Sequence, residues 1–190
     1  MKPRVYIFSR APIFGLAKTR LAADIGKVHA HRIYKAMIAK VIKRTKDSRW
    51  EVIISGTPSK SLDQVIEWQG LRQVSQAKGT LSDKLNKIFR KKGPIVVIGT
   101  DCPQLNQKDI AAAFNALKSY DTVFGPAEDG GFWLIGMHAP LKKDIFSNVR
   151  WSDRNTLNDV LSNIEGSVFH LRKLTDIDDL NSLLSVGKAF

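Results

Sequence analysis

The chain has 190 residues, 43% hydrophobic and 25% charged, an ordinary balance for one domain with a full core. No apolar run approaches the roughly 20 residues that span a bilayer, and the N-terminal run is shorter than a secretory segment, so a cytoplasmic protein without a membrane span is expected. The single cysteine, Cys102, excludes an internal disulfide and a cysteine-cluster metal site, while the formal net charge of +12 admits anionic partners.

The first apolar run, Val5-Tyr6-Ile7-Phe8-Ser9, reads as a buried strand. Pro12 and Gly15 break the pattern, and helix formers resume at Ala17 and run to Gly26, a plausible stop. A second helix is predicted from Val28 to Lys46, where Ile33, Met37 and Val41 form an apolar row. A strand over Glu51–Ser55, a helix near Ser61–Glu67 and a weak strand over Leu71–Ser75 follow, then a helix carrying Leu81, Leu85, Ile88 and Phe89. Pro94–Gly99 is unbroken in its apolar character, which indicates a strand covered on both faces of a parallel sheet. Asn106 caps the next helix, with Asp109 at its acid-favouring third position. Strands over Asp121–Phe124 and Phe132–Met137 follow, the latter a candidate for antiparallel pairing. Ser152 opens a helix, Ser167–Leu171 is the last strand, and a short helix follows Asp178. The alternation of strands and helices predicts one α/β domain over residues 1–190, with a mixed, mainly parallel sheet flanked by helices.

Basic residues surround the first strand-to-helix loop: Arg10, Lys18 and Arg20, with Gly15 between them. Open α/β sheets bind ligands beyond the carboxyl ends of their strands, beside a helix start, and cations at that end of a helix are unfavourable without an anion. A phosphate site is the sharper reading, and an ordinary solvated first turn is the plainer one. Gly15 lets the backbone approach a ligand, and Arg20 can fork onto two phosphate oxygens. The stretch is neither a Walker A loop nor GxGxxG.

Three acidic features accompany the loop. Asp101 directly follows the strongest strand and falls on the same sheet edge as the basic loop, a combination suited to a divalent metal bridging protein and diphosphate; the alternative is a turn aspartate before Pro103. In Glu128-Asp129-Gly130-Gly131, Asp129 is a candidate to hold an acceptor hydroxyl, act as a base or contact a metal, and the two glycines admit a ligand; the alternative is a tight turn. Asp176, Asp178 and Asp179 either approach the metal or cap the last helix, and capping is the better local reading. Cys102 reads as packing, as do Trp133 and Trp151, although either ring is able to stack on a base or sugar. The histidines form no metal or hydrolase cluster.

These stretches resemble a known family. Arg10–Leu21 resembles the "KAPxPGxxKTRL" signature of small bacterial GT-A-like glycosyltransferases, Ile98–Leu105 their "IGxDxPxL" motif, and Gly125–Gly136 their "GPAxDGGYYLIGL" motif. Trp151-Ser152 is similar to a later "WS" pair. Arg10 stands for the usual Lys, Ile13-Phe14 replaces the second Pro, Gly79–Leu85 lacks the acidic residue and Arg of "GDLGERM", and Ser182 replaces the final Asp of "DVDTxxDL". More distantly, the chain is similar to 2-phospho-L-lactate guanylyltransferase and molybdenum-cofactor nucleotidyltransferases. The resemblance implies a Rossmann-like nucleotide-diphospho-sugar transferase (GT-A) fold. It also implies nucleotide phosphates on the first motif with Gly79 nearby, and Mg²⁺ or Mn²⁺ on Asp101, with Asp176 and Asp178 as further contacts.

The first functional reading is a metal-dependent glycosyltransferase taking a sugar from a nucleotide-sugar donor to a small-molecule acceptor. The second is a nucleotidyltransferase that joins an NTP to a phosphorylated molecule and releases pyrophosphate. The third is a non-enzymatic basic module, but no nucleic-acid motif supports it and nucleic acid is not an expected partner. Donor base, acceptor and oligomeric state are not readable from the sequence.

Overall fold

The computed structural model describes residues 1–187, so the last three residues of the expected domain lie outside the described residues. Seven strands form one sheet: β1 (Arg4–Arg10), β2 (Glu51–Thr57), β3 (Arg72–Ser75), β4 (Ile95–Ile98), β5 (Thr122–Pro126), β6 (Phe132–Met137) and β7 (Val168–His170). Their spatial order is β3-β2-β1-β4-β6-β5-β7. β1 to β4 run parallel, β6 is antiparallel to both β4 and β5, and β5 is parallel to β7. The sheet is therefore mixed and mainly parallel, with Phe132–Met137 as the reversed strand.

Residue alternation along the strands explains the two cores. On one face Val5, Ile7, Val96 and Ile98 pack with Tyr34, Ile38 and Val41 of α2 (Lys27–Thr45) and Ile110 and Ala113 of α4 (Gln107–Ala116). On the other, Tyr6, Ile95, Val97, Phe124 and Ile135 pack with Leu85, Ile88 and Phe89 of α3 (Leu81–Phe89) and Val160 of α5 (Thr156–Ser162). All four residues of β4 are buried, as an apolar run covered on both faces requires. Asn106 caps α4, its side chain accepting from Lys108 N and Asp109 N, and Asp109 answers as the other half of a capping box.

Local backbone geometry moves two predicted helices. Asp63 takes a left-handed φ of 65°, so the region expected to be a helix over Ser61–Glu67 splits into 3₁₀ turns at Ser59–Ser61 and Ile66–Trp68. The second turn delivers Trp68 into the core against Gly56, where an added Cβ would lie 2.7 Å from the ring. Ser152 also has a left-handed φ, 59°, and α5 begins only at Thr156. The chain closes with α6 (Leu180–Val186), capped by Asp179. Among the described residues no helix is long and apolar enough to cross a membrane.

Candidate functional site

Because β1 and β4 are parallel neighbours, the loops after them emerge side by side at one sheet edge. The loop after β1 leads into α1 (Thr19–Ile25), and Lys18 stands at the helix start in left-handed geometry, φ 52° and ψ 48°. Lys18 Nζ lies 2.5 Å from Asp101 Oδ1 and 2.6 Å from Asp178 Oδ1, with its side chain only 6% exposed. Burial alone pulls the ammonium pKa down, but the Asp101 and Asp178 carboxylates outweigh it and raise the value above the usual lysine range.

The segment before α6 brings Asp178 to this point. Ile177 N donates to Asp101 O at 3.0 Å, Leu21 N donates to Asp178 O at 3.1 Å, and Leu180 N donates to Asp24 Oδ2 at 3.0 Å. The last loop is thus pinned to both the post-β4 loop and α1. Asp176 points elsewhere: the Cys102 thiol donates to its Oδ1, and burial, reinforced by Asp101, Asp129 and Asp178, pushes its carboxyl up to about 7. Burial likewise drives the Cys102 thiol far above its ordinary value, so it is an inert packing group.

One cleft of about 450 Å³ is lined by Arg10, Lys18, Arg20, Asp101, Asp129 and Asp178, together with Tyr34, Thr100 and Ser152. Tyr34 reaches it from α2 and donates its hydroxyl to Arg10 O at 2.9 Å; burial and the Asp101 charge raise its pKa. Tyr34 is not marked by sequence, since it sits beside an apolar helical row, and Ser152 is marked only by its resemblance to the family's "WS" pair, not by any local site pattern. Asp129 Oδ1 accepts from Gly131 N at 2.8 Å, which turns its carboxylate within its own loop. Trp133 is buried and donates Nε1 to Arg172 O, and Trp151 donates to Ser82 Oγ, so both indoles pack rather than line the cleft.

Other predicted site residues do not line the cleft. Gly15 has φ 77°, and a Cβ added there would meet open space, so its glycine answers to backbone conformation. Gly130 has φ 90° and an added Cβ would lie 2.0 Å from Arg154 O, which makes it a packing glycine for the loop that carries Asp129. Glu128 accepts from Thr175 Oγ1 at 2.8 Å. Gly79 precedes the α3 capping box, where an added Cβ would lie 2.3 Å from Asp83 Oδ2.

Among the described residues no group of three or more His, Cys, Asp or Glu side chains is arranged to hold a metal ion. The carboxylates of Asp101 and Asp178, 45% and 49% exposed, nonetheless share one cation. Magnesium is usually held by one or two carboxylates and completed by waters and substrate phosphates, so this pair fits such an ion.

Residues 38–153 match the model of a family described as an uncharacterized protein conserved in bacteria (DUF2064). The chain belongs to this family. The DUF2064 chain is similar over 98% of its length, with a TM-score of 0.92 and 22% identity, to a Desulfovibrio desulfuricans G20 protein carrying the provisional designation nucleotide-diphospho-sugar transferase, 87% of which is covered. It aligns over 98% of its length, at a TM-score of 0.56 and 11% identity, with 98% of Rv0371c from Mycobacterium tuberculosis H37Rv in complex with manganese. It also aligns over 98% of its length, at a TM-score of 0.59 and 11% identity, with 97% of a CMP:2-keto-3-deoxy-manno-octonic acid synthetase complexed with CTP. Comparison with curated proteins gives no match. At these identities the likeness establishes the fold, the nucleotide-diphospho-sugar transferase type expected from the motifs.

Proposed function

We propose that this DUF2064 chain is a nucleotide-using transferase that moves a sugar from a nucleotide-diphospho-sugar to a small-molecule acceptor with Mg²⁺ or Mn²⁺. The observation that carries the reading is the convergence of three cations and three carboxylates on one cleft. Arg10 and Arg20 neutralise the diphosphate of the donor, and Arg20 is able to engage two oxygens at once. Asp101 and Asp178 would hold the divalent ion, which, when bound, offsets the charge of the leaving diphosphate. Asp129, which lines the same cleft from the loop after β5, accepts the proton of the acceptor hydroxyl as the new bond forms.

The second reading, nucleotidyl transfer with release of pyrophosphate, is favoured by one finding: the near-complete overlap with a synthetase crystallised with CTP. The same cleft would then hold the triphosphate. Calorimetry with a panel of NDP-sugars and NTPs, with Mg²⁺ or Mn²⁺, tests both. Binding that persists unchanged in Asp101→Ala counts against a metal–nucleotide site. Pyrophosphate release from an NTP and a phosphorylated acceptor selects the second reading, and nucleoside diphosphate release from an NDP-sugar selects the first.

A further inference from the structure

Lys18 is not aimed into the open cleft as a waiting phosphate ligand. Its side chain is 6% exposed and its ammonium is shared between Asp101 at 2.5 Å and Asp178 at 2.6 Å. A single cation already sits where two half-exposed carboxylates meet. A magnesium ion would stand about 2.1 Å from each oxygen that binds it, so it and the ammonium exclude each other. The displaced ammonium would enter a cleft lined by Arg10 and Arg20, a poor place for another positive charge unless an anion is present to receive it. Nucleotide phosphates are such an anion.

We propose that Lys18 is an internal counterion that keeps the Asp101–Asp178 pair closed to free divalent ions, and that nucleotide phosphates draw it away so that metal and nucleotide load together. The proposal rests on the transferase reading above. Lys18 is then a positioning residue that acts through the two carboxylates. Whatever factor nucleotide contributes to metal affinity, metal contributes equally to nucleotide affinity. What Lys18 adds is the suppression of metal binding when no nucleotide is there.

The test is Mn²⁺ binding to the full chain without nucleotide, followed by electron paramagnetic resonance. Lys18→Met is expected to bind Mn²⁺ about tenfold or more tightly than the natural protein, because one competitor for the carboxylates is gone. Lys18→Arg, which restores a cation, returns binding to the weak level, and adding Asp101→Asn to Lys18→Met abolishes the gain. Lys18→Met binding no more tightly than the natural protein overturns the proposal. So does a natural protein that binds Mn²⁺ equally well, at matched free Mn²⁺, with and without an equimolar mixture of NTPs and NDP-sugars.

A second measurement avoids the variants. Acetic anhydride labelling of Lys18 in the natural protein, read by mass spectrometry, is expected to stay low when Mn²⁺ is added alone, as the ammonium keeps its buried seat between the two carboxylates. A several-fold rise in Lys18 labelling on adding Mn²⁺ alone overturns the proposal. The failure of the underlying reading looks different: no NTP or NDP-sugar binds in the presence of Mn²⁺, whatever Lys18 does with metal alone.

Discussion

Lys18 and Asp178 are 160 positions apart in the chain and 2.6 Å apart in the molecule. The contact joins the loop after the first strand to the loop before the last helix, and it closes one wall of the cleft. Asp178→Ala removes one of the two carboxylates that offset burial of the ammonium. Because Asp101 remains and the carboxylate is half exposed, the expected loss is about 1–2 kcal/mol, below the cost of breaking a fully buried pair. Urea unfolding of the two proteins measures it, and equal midpoints would remove the stabilising role.

The arginines separate binding from folding. Arg20 is exposed and lines the cleft, so Arg20→Ala is expected to leave the melting temperature within about 1–2 °C and to weaken nucleotide binding about tenfold, the worth of a charge-assisted contact. Titration calorimetry with the nucleotide that binds most tightly checks this. Unchanged affinity would place the phosphates elsewhere.

Two glycines in candidate site loops make a paired prediction. Gly15→Ala meets open space and incurs only the left-handed backbone penalty, about 1 kcal/mol, or roughly 2–4 °C in Tm. Gly130→Ala drives a methyl group to 2.0 Å from Arg154 O at a φ of 90°, so the loop must move. Its Tm is expected to fall by at least about 6 °C, and transferase turnover to fall with it because Asp129 is displaced. Thermal melts that rank the two variants the other way would contradict the loop packing.

Asp176 gives the metal-free protein a pH-dependent stability. Its carboxyl is pushed up to about 7 in the folded protein, chiefly by burial, against 3.8 for the ordinary group. Between those values the folded state holds a proton that the unfolded chain has released. The contribution is therefore complete below pH 3.8 and is lost as pH rises to about 7. In chelator-treated protein, Asp176→Asn should gain about 1–3 kcal/mol relative to the natural protein between those limits, a figure reduced for partial solvent access. Denaturant melts across the range read the difference, and parallel curves would refute it.

Cys102 is 1% exposed and its thiol is held neutral by burial and the adjacent Asp176. Alkylation by iodoacetamide at pH 8 is expected only after unfolding. Rapid labelling of the native protein would show that the pocket around it opens.

Local chemistry in the sequence was sufficient for most of the framework. The apolar run Ile95–Ile98 could only be a strand buried on both faces, and Asn106 with Asp109 could only start a helix economically, since each satisfies the other's backbone donor. The reversed direction of Phe132–Met137 was foreseeable from its place after a Gly-rich turn. Ser61–Glu67 and the segment at Ser152 depart from the expected helices because a left-handed residue interrupts each, and Asp63 and Ser152 carry no obligatory sequence mark of that conformation. The site divides the same way. Arg10, Lys18, Arg20, Asp101 and Asp129 stood out because charge beside a strand end is conspicuous. That Lys18 spends its charge on Asp101 and Asp178, that Tyr34 and Ser152 join the cleft, and that Asp176 turns to Cys102 were decided by tertiary structure alone. Those pairings depend on parallel β1 and β4 delivering their loops to one edge and on the last loop folding back over them, distances in space that no local pattern of residues encodes.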